Sequence, residues 1–263
     1  MLMELLFPVA ALGAMGLLFG LMLGGASKLF RVEVDEKVPL ILEVLPGANC
    51  GGCGYAGCNA YATAVSEGNA PLNGCPVGGK EVGDQIAKIM GASTGEYVQK
   101  VARVHCLGCY ENARQKYEYS GIQDCIVASK LGGGQKDCPN GCLGLGTCQR
   151  ACPFGAIEIE NGLARINEEK CTACGKCVQT CPKNVITLVP QEKKYMVMCN
   201  NHDKGPVAKD LCKVSCIGCR LCEKECPFDA IHVHHFAAEI DYEKCRNCGK
   251  CMAKCPRHVI VKC

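Results

Sequence analysis

Aromatic side chains are scarce in this 263-residue chain, which has no Trp, six Phe and eight Tyr. So few large apolar rings are a poor basis for one extended core, and we expect several small domains instead. A large excess of one charge is also lacking, because 29 Lys and Arg stand against 26 Asp and Glu. This balance gives no support to nucleic-acid binding.

Motifs for nucleotide binding and covalent catalysis are absent from the sequence as well. No Gly-x-Gly-x-x-Gly follows an expected strand, and the glycines at 132–134 lack the Lys-Ser/Thr ending of a phosphate-binding loop. No Ser/His/Asp set, paired carboxylates or activated nucleophile stands out. We therefore expect neither a catalytic residue nor a nucleotide site in this chain.

Cysteine is the residue that the chain has in excess, with 26 copies. Most of them follow a spacing that occurs twice, with an offset of 74 residues. The first copy consists of Cys125, Cys138, Cys142, Cys148, Cys152, Cys171, Cys174, Cys177 and Cys181, and the second of Cys199, Cys212, Cys216, Cys222, Cys226, Cys245, Cys248, Cys251 and Cys255. Packing alone would accept Ala or Val at such positions, so the repeat predicts ligands.

The spacing of the second copy distinguishes among disulfides, zinc and iron–sulfur clusters. Its two runs have the form Cys-x2-Cys-x2-Cys-x3-Cys-Pro, in which three thiolates hold one 4Fe–4S cube and the fourth binds the neighbouring cube. Zinc sites usually place a longer loop between Cys pairs, and disulfides need an oxidising compartment. We therefore predict one cube at Cys216, Cys219, Cys222 and Cys255 and another at Cys226, Cys245, Cys248 and Cys251.

The first copy departs from this run at Leu145, which stands where the second copy has Cys219. Cys138, shortly before Cys142, is the natural substitute in sequence. This predicts one cube at Cys138, Cys142, Cys148 and Cys181 and its neighbour at Cys152, Cys171, Cys174 and Cys177. A three-ligand cluster, or none, at the first of these two positions stays an alternative.

A separate cysteine segment precedes the repeat and contains Cys50, Cys53, Cys58 and Cys75. Glycines surround the first three and let backbone N–H groups approach a cluster closely. A helix expected over 56–67 places Cys58 in its first turn, where the helix dipole favours a thiolate. We predict a single 4Fe–4S cube here, with a zinc site as the alternative.

About five cubes would use 20 of the 26 cysteines. The cysteines left over are Cys106, Cys109, Cys125, Cys199, Cys212 and Cys263. A sixth metal site at Cys106, Cys109 and Cys125 is the alternative to plain thiols. Because each oxidised cube carries about −2, the formal charge of +3 becomes roughly −7 in the loaded protein.

One long apolar run, Leu5 to Ala26, lies near the start of the sequence and contains no charged residue. About 20 apolar residues are enough to cross a bilayer as a helix, and the positive start of a signal peptide is lacking. Lys28 and Arg31 follow the run, so the positive-inside rule predicts a cytoplasmic body. We expect a single-pass protein of the inner (cytoplasmic) membrane, with a buried soluble helix as the alternative.

The expected fold class is α+β, with two tandem bacterial-type ferredoxin-like domains. We predict an anchor at 1–27, a single-cube domain at 28–91, a connector at 92–135, and ferredoxin-like domains at 136–190 and 191–263. A short strand and connector are expected at 30–44, further strands at 97–105 and in the histidine-containing segment after residue 231, and helices at 56–67 and 80–90. Four isoleucines, each five residues past a fourth cysteine, are expected to pack over the cubes: Ile157, Ile186, Ile231 and Ile260.

The ordered combination of an anchor, LPGANCGGCGYAGC with its distant Cys75, and GCLGLGTCQRACPFGAI resembles the B subunit of the Rnf complex. The resemblance covers nearly the whole chain and implies a membrane complex that couples ferredoxin oxidation and NAD⁺ reduction to Na⁺ or H⁺ transport. It also implies that soluble reduced ferredoxin and the other Rnf subunits are the partners.

Two further functions remain open at this point. The chain could be a polyferredoxin subunit of another membrane redox complex, or a scaffold that loads iron–sulfur clusters into other proteins. A scaffold needs labile and exposed clusters, whereas crossed ligation buries each cube between two segments.

Overall fold

The computed structural model describes residues 2–29 and 35–263, with side chains from residue 11 onward. Helix α1, Leu2–Leu29, contains the predicted apolar run, and its segment Ala11–Leu29 is exposed along its whole length among the described residues. In the part of the chain that the structure describes, this is the one helix long and apolar enough to cross a membrane, by length and composition alone.

Three helices form a small domain around the first cysteine segment. They are α2, Lys37–Val44, α3, Cys58–Ser66, and α4, Gly79–Met90. Their shared core contains the fully buried Ile41, Tyr61, Val65 and Ile86. The predicted helices at 56–67 and 80–90 are thereby confirmed, and Gly91 ends α4 in the left-handed conformation.

The prediction of a short strand and connector over 30–44 is wrong for its second half, while residues 30–34 lie outside the described residues. Val38, Ile41 and Leu45 are buried at helical spacing against α3 and α4. Pro39 lies in the first turn of α2, where its missing N–H costs no hydrogen bond. Packing against the other two helices therefore decides the structure of this segment.

The first ferredoxin-like module contains two antiparallel strand pairs and three short helices that carry cysteines. Strand β1, Lys100–Val104, pairs with β4, Ile186–Pro190, and β2, Ile157–Glu160, pairs with β3, Leu163–Ile166. The helices of this module are α5, Cys125–Lys130, α6, Thr147–Ala151, and α7, Lys176–Thr180. Because β1 pairs with β4, this strand of the predicted connector belongs to the module.

The second module has the same plan. Strand β5, Tyr195–Val197, pairs with β8, Ile260–Lys262, and β6, Ile231–His234, pairs with β7, Ala237–Ile240. Its helices are α8, Gly205–Leu211, α9, Leu221–Glu225, and α10, Lys250–Lys254. The mixed helix and strand content and the paired modules confirm the predicted α+β fold.

The segment between β1 and α6 connects the two modules. Cys106 pairs with Cys199, and Ala113 pairs with Cys212, in isolated antiparallel bridges. The backbone N–H of Arg114 donates to the Leu211 carbonyl at 2.9 Å, and its guanidinium forms ion pairs with Asp137 and Asp210. The modules therefore meet along a surface on which several cysteines lie.

Candidate metal centres

All 26 cysteines are free thiols, and many of them line a few cavities. Among the described residues, no three His, Cys, Asp or Glu side chains are gathered as a single metal ion would require. The thiolates of a zinc site lie about 3.8 Å apart, because each is about 2.3 Å from the ion.

The first set consists of Cys50, Cys53, Cys58 and Cys75, held by α3 and the loops around it. Gly52 N–H donates to Cys50 Sγ at 3.5 Å, and Gly78 N–H donates to Cys75 Sγ at 3.4 Å. Cys58 lies at the start of α3, where its N–H donates to the Asn49 side chain at 2.8 Å. The predicted position of Cys58 in a helical first turn is thus confirmed.

A second set surrounds a cavity in the first module and consists of Cys152, Cys171, Cys174 and Cys177. Ala102 N–H, on β1, donates to Cys171 Sγ at 3.4 Å. Thr172 Oγ1 also belongs to the cavity wall and is buried without a hydrogen-bond partner. A buried hydroxyl without a partner is costly, and a bound cluster with inorganic sulfides would offer it one.

The neighbouring set contains Cys142, Cys148 and Cys181, and the structure places Cys125 beside them. The Cys148 thiol is close enough to the thiols of Cys142, Cys125 and Cys181 to interact with them electrostatically. Cys125 shares a small buried cluster with Leu145, the residue that interrupts the ferredoxin run. Its N–H donates to Thr147 Oγ1 at 2.6 Å, which ties α5 to α6.

Cys138 lies elsewhere, in the wall of a cavity between the modules. Cys106 and Cys212 are the thiols within its electrostatic reach. The three leftover cysteines proposed together from the sequence are also separated, since Cys106 lines this cavity and Cys125 lies beside Cys148.

Two sets occupy the second module in the predicted crossed arrangement. A cavity is lined by Cys216, Cys219, Cys222 and Cys255, and Cys251 lies within electrostatic reach of Cys226, Cys245 and Cys248. Ala230 N–H donates to Cys226 Sγ at 3.4 Å. Cys219 and Cys248 are exposed, so one edge of each set faces solvent.

The four predicted isoleucines each begin a strand and are at most 3% exposed. Ile157 lines the cavity of the second set, and Ile260 lines that of the second module. Aliphatic walls of this kind exclude water, and this helps to set the potential of a bound cluster.

Burial raises the pKa of several thiols in these sets. The pKa is about 12 for Cys148, Cys177 and Cys222, with desolvation as the largest cause and neighbouring thiols adding to it. Thiolates at such positions need a compensating positive partner at neutral pH. Iron, which binds thiolates and displaces their protons, suits this donor set.

The single-cube domain touches the first module through Gly52. A Cβ added to Gly52 would lie 2.9 Å from the Cys174 carbonyl oxygen, so the two backbones are in direct contact. Cys50 and Cys174 are also within electrostatic reach of each other. The first two thiol sets are therefore neighbours.

Of the histidines after residue 231, His232 and His234 lie on β6, the strand that the sequence predicted, and His235 follows in the turn before β7. His232 contacts Glu223 and Asp229.

Comparison with known proteins agrees with the thiol sets. A family described by an Fe-S cluster matches residues 45–77, a 4Fe-4S binding domain matches 164–187, and a 4Fe-4S dicluster domain matches 215–260. These matches support 4Fe–4S clusters, and the segment from 106 to 142 lies outside all three.

Three curated relatives cover nearly the whole chain. The B subunit of the Na(+)-translocating ferredoxin:NAD(+) oxidoreductase complex of Acetobacterium woodii is 49% identical over 99% of this chain and 78% of its own length. The B subunit of the ion-translocating oxidoreductase complex of Methanosarcina acetivorans is 46% identical, covering 97% of each. The B subunit of the proton-translocating ferredoxin:NAD(+) oxidoreductase complex of Clostridium ljungdahlii is 46% identical over 93% of this chain and 88% of its own length.

Proposed function

Since the chain belongs to the family of B subunits of Rnf ion-translocating oxidoreductase complexes, we propose that it is the electron-transfer subunit of a ferredoxin:NAD⁺ oxidoreductase. Reduced ferredoxin is the proposed electron donor, and the other Rnf subunits carry electrons on toward NAD⁺ and couple them to Na⁺ or H⁺ transport. When bound, 4Fe–4S clusters supply one-electron redox chemistry. The sequence offers no nucleotide or catalytic motif of its own, which agrees with a carrier role.

The observation that carries this proposal is the adjacency of successive thiol sets. The first set meets the second through Gly52 and the Cys174 carbonyl, and in each module one cavity is lined by thiols from both cysteine runs. The N–H groups hold the sulfurs in place, and the isoleucines keep water away. A scaffold that donates its clusters would gain nothing from such a connected arrangement.

We further propose that α1 anchors the chain in the cytoplasmic membrane, with the cysteine-rich body on the cytoplasmic side. The exposed apolar surface of Ala11–Leu29 and the positive residues Lys28 and Arg31 after the run support this orientation.

Direct reduction by ferredoxin tests the proposed function. We expect stoichiometric reduced bacterial ferredoxin to bleach the visible absorbance of the anaerobically purified full chain in detergent. NADH alone should leave it unchanged. Cluster transfer to an apo-ferredoxin acceptor without bleaching by the reduced donor would contradict the carrier role and favour a scaffold.

For the individual clusters we keep the predicted ligands at four positions and revise the fifth. The kept sets are Cys50, Cys53, Cys58 and Cys75; Cys152, Cys171, Cys174 and Cys177; Cys216, Cys219, Cys222 and Cys255; and Cys226, Cys245, Cys248 and Cys251. At the remaining cube we propose Cys125 in place of Cys138, beside Cys142, Cys148 and Cys181. The contact of Cys125 with Leu145 supports this choice, because Cys125 then supplies the sulfur that position 145 lacks.

Cys125→Ala is expected to lower the iron content by about one to four atoms per chain, because a cube without one ligand loses an iron or fails to assemble. Adding Leu145→Cys to the same chain should restore it, since the new thiol occupies the position of Cys219 in the other run. Iron and acid-labile sulfide assays measure both effects. An unchanged iron content in Cys125→Ala would contradict the revised set.

A further inference from the structure

Four thiols that no iron–sulfur family match covers line one cavity between the two ferredoxin-like modules. They are Cys106, Cys138, Cys199 and Cys212. Three of them, Cys106, Cys138 and Cys212, are at most 9% exposed. A Cβ added to Gly108 would lie 3.3 Å from Cys106 Sγ and 4.0 Å from Cys212 Sγ, so these two sulfurs face the same glycine.

We propose that Cys106, Cys138, Cys199 and Cys212 bind a sixth 4Fe–4S cluster, with ligands drawn from both modules. The inference rests on the proposal that the chain is a multi-cluster electron carrier and extends it by one site. Assembly replaces four S–H bonds by four S–Fe bonds to a 4Fe–4S core formed from supplied iron and sulfide, and the protons go to solvent.

Backbone N–H groups already point at these sulfurs. Gly108 N–H donates to Cys106 Sγ at 3.3 Å, and Cys216 N–H donates to Cys199 Sγ at 3.2 Å. The backbone N–H groups of Asn140 and Val214 lie close to Cys138 and Cys212, respectively. Such donors stabilise thiolates, and they match the N–H···S pattern of the other sets.

Two buried polar groups in the same wall have no partner in the protein. Asn201 Nδ2 and Ser215 Oγ make no hydrogen bond, although these residues are 2% and 1% exposed. A buried donor left unpaired costs about 1–3 kcal/mol. Cluster sulfides would give both groups an acceptor, which is an indication of a bound group that is independent of the thiols.

The charges around the cavity suit an anionic cluster. Lys136 is 1% exposed and lines the wall, Arg257 lies within electrostatic reach of Cys212, and Lys183 within reach of Cys138. Asp203 is the opposing carboxylate within reach of Cys138. The three cations favour the roughly −2 charge of a cube with four thiolates.

The sixth site lies close to proposed ligands of both modules. Cys106 Sγ accepts from the N–H of Cys142, a ligand proposed in the first module, at 3.5 Å. Cys199 Sγ accepts from the N–H of Cys216, a ligand in the second module. The sixth site therefore lies between the two modules and connects their thiol sets.

Cys109 is left out of the ligand set because it does not line this cavity, whereas Cys106 does. Its thiol is nevertheless within electrostatic reach of Cys212, so a direct test is needed. Cys109→Ala and Cys199→Ala distinguish the two assignments.

The experiment measures iron and acid-labile sulfide in the anaerobically purified full chain after reconstitution. Cys138→Ala/Cys212→Ala should lose about four iron and four sulfide relative to the parent, with the loss of one reduced-cluster EPR signal. Cys263→Ala is the matched control, because Cys263 is exposed and lies outside every set, and it should lose none. Cys199→Ala should also lose iron, whereas Cys109→Ala should not.

An unchanged iron content in the double variant would overturn the sixth site. Loss of iron in Cys109→Ala, without loss of iron in Cys199→Ala, would overturn its ligand set. If the double variant fails to fold, Ser215→Ala decides. It should retain its iron and lower the potential of one EPR signal, and an unchanged set of potentials would contradict the site. If reduced ferredoxin bleaches the chain but the chain contains only about 20 iron, the sixth site is refuted. The electron-transfer role would still stand.

Discussion

Gly144→Ala is expected to destabilise the first ferredoxin-like module by about 3 kcal/mol or more and to remove its iron at Cys142 and Cys148. Gly144 has φ +72°, and an added Cβ would lie 2.0 Å from the Gly162 carbonyl oxygen. The left-handed conformation costs an L-residue about 1–2 kcal/mol, and a backbone overlap in a packed region adds about 1–3 kcal/mol. Iron content and the midpoint of thermal unfolding measure the effect.

Gly155→Ala is the matched control for this substitution. Gly155 also has a left-handed φ, of +60°, but an added Cβ meets nothing within 4 Å. It should therefore cost only the conformational part, about 1–2 kcal/mol, and keep all its iron. Equal iron losses in the two variants would show that the close approach to Gly162 is irrelevant.

Lys136→Met is expected to destabilise the same region by about 2–4 kcal/mol and to lower the reduction potential of at least one cluster. The Lys136 ammonium donates to the Gly108 carbonyl at 2.5 Å and to the Gly162 carbonyl at 2.6 Å. Hydrogen bonds to a charged group contribute about 1.5–3 kcal/mol each, and methionine leaves both carbonyls without this donor. Chemical denaturation of the loaded chain checks the stability.

The potential shifts because reduction adds negative charge to a cluster, and a nearby buried cation stabilises the reduced form. Lys136 lines the inter-module cavity and lies within electrostatic reach of Cys142. Its loss should lower the potential by an amount on the order of tens of millivolts, and EPR-monitored redox titration measures it. Lys88→Met, which removes an exposed lysine of α4, should leave every potential unchanged. If the potentials of Lys136→Met equal those of the parent chain, as those of Lys88→Met should, the role of Lys136 is contradicted.

The cysteine spacing predicted much of the site, because ligands within a ferredoxin run are local in sequence. Cys216, Cys219 and Cys222 line one cavity together with Cys255, as the run requires. Leu145 was the position where local spacing no longer sufficed. Cys125, which shares a buried cluster with Leu145, comes from α5, and a hydrogen bond between Asp124 and Thr147 helps to hold that helix.

The repeat offset also aligned cysteines that the fold places differently. By sequence, Cys125 corresponds to Cys199, but in the structure Cys199 corresponds to Cys106. His105 N–H donates to the Val185 carbonyl and Met198 N–H to the Val259 carbonyl, and the cysteine that follows each accepts from Cys142 or Cys216. An insertion between β1 and α6 breaks the linear register, so strand pairing was needed to align these cysteines.

The helical segment α2 shows the same limit outside the cysteines. Its alternating apolar residues suggested a strand, yet Val38, Ile41 and Leu45 also have the spacing of one helical face. Both patterns exist in the sequence, and the contacts with α3 and α4 select the helix. Tertiary packing therefore decides a local choice that propensity leaves undetermined.

The central claim is that one chain holds a connected series of 4Fe–4S clusters from Cys50 to Cys255. Iron and acid-labile sulfide, measured on the anaerobically purified and reconstituted wild-type chain, test it most directly. Six cubes at about four iron each predict about 24 iron and 24 sulfide per chain. About 20 iron and 20 sulfide per chain would contradict the inter-module cluster alone. A value near 12 in fully folded protein would contradict the account as a whole.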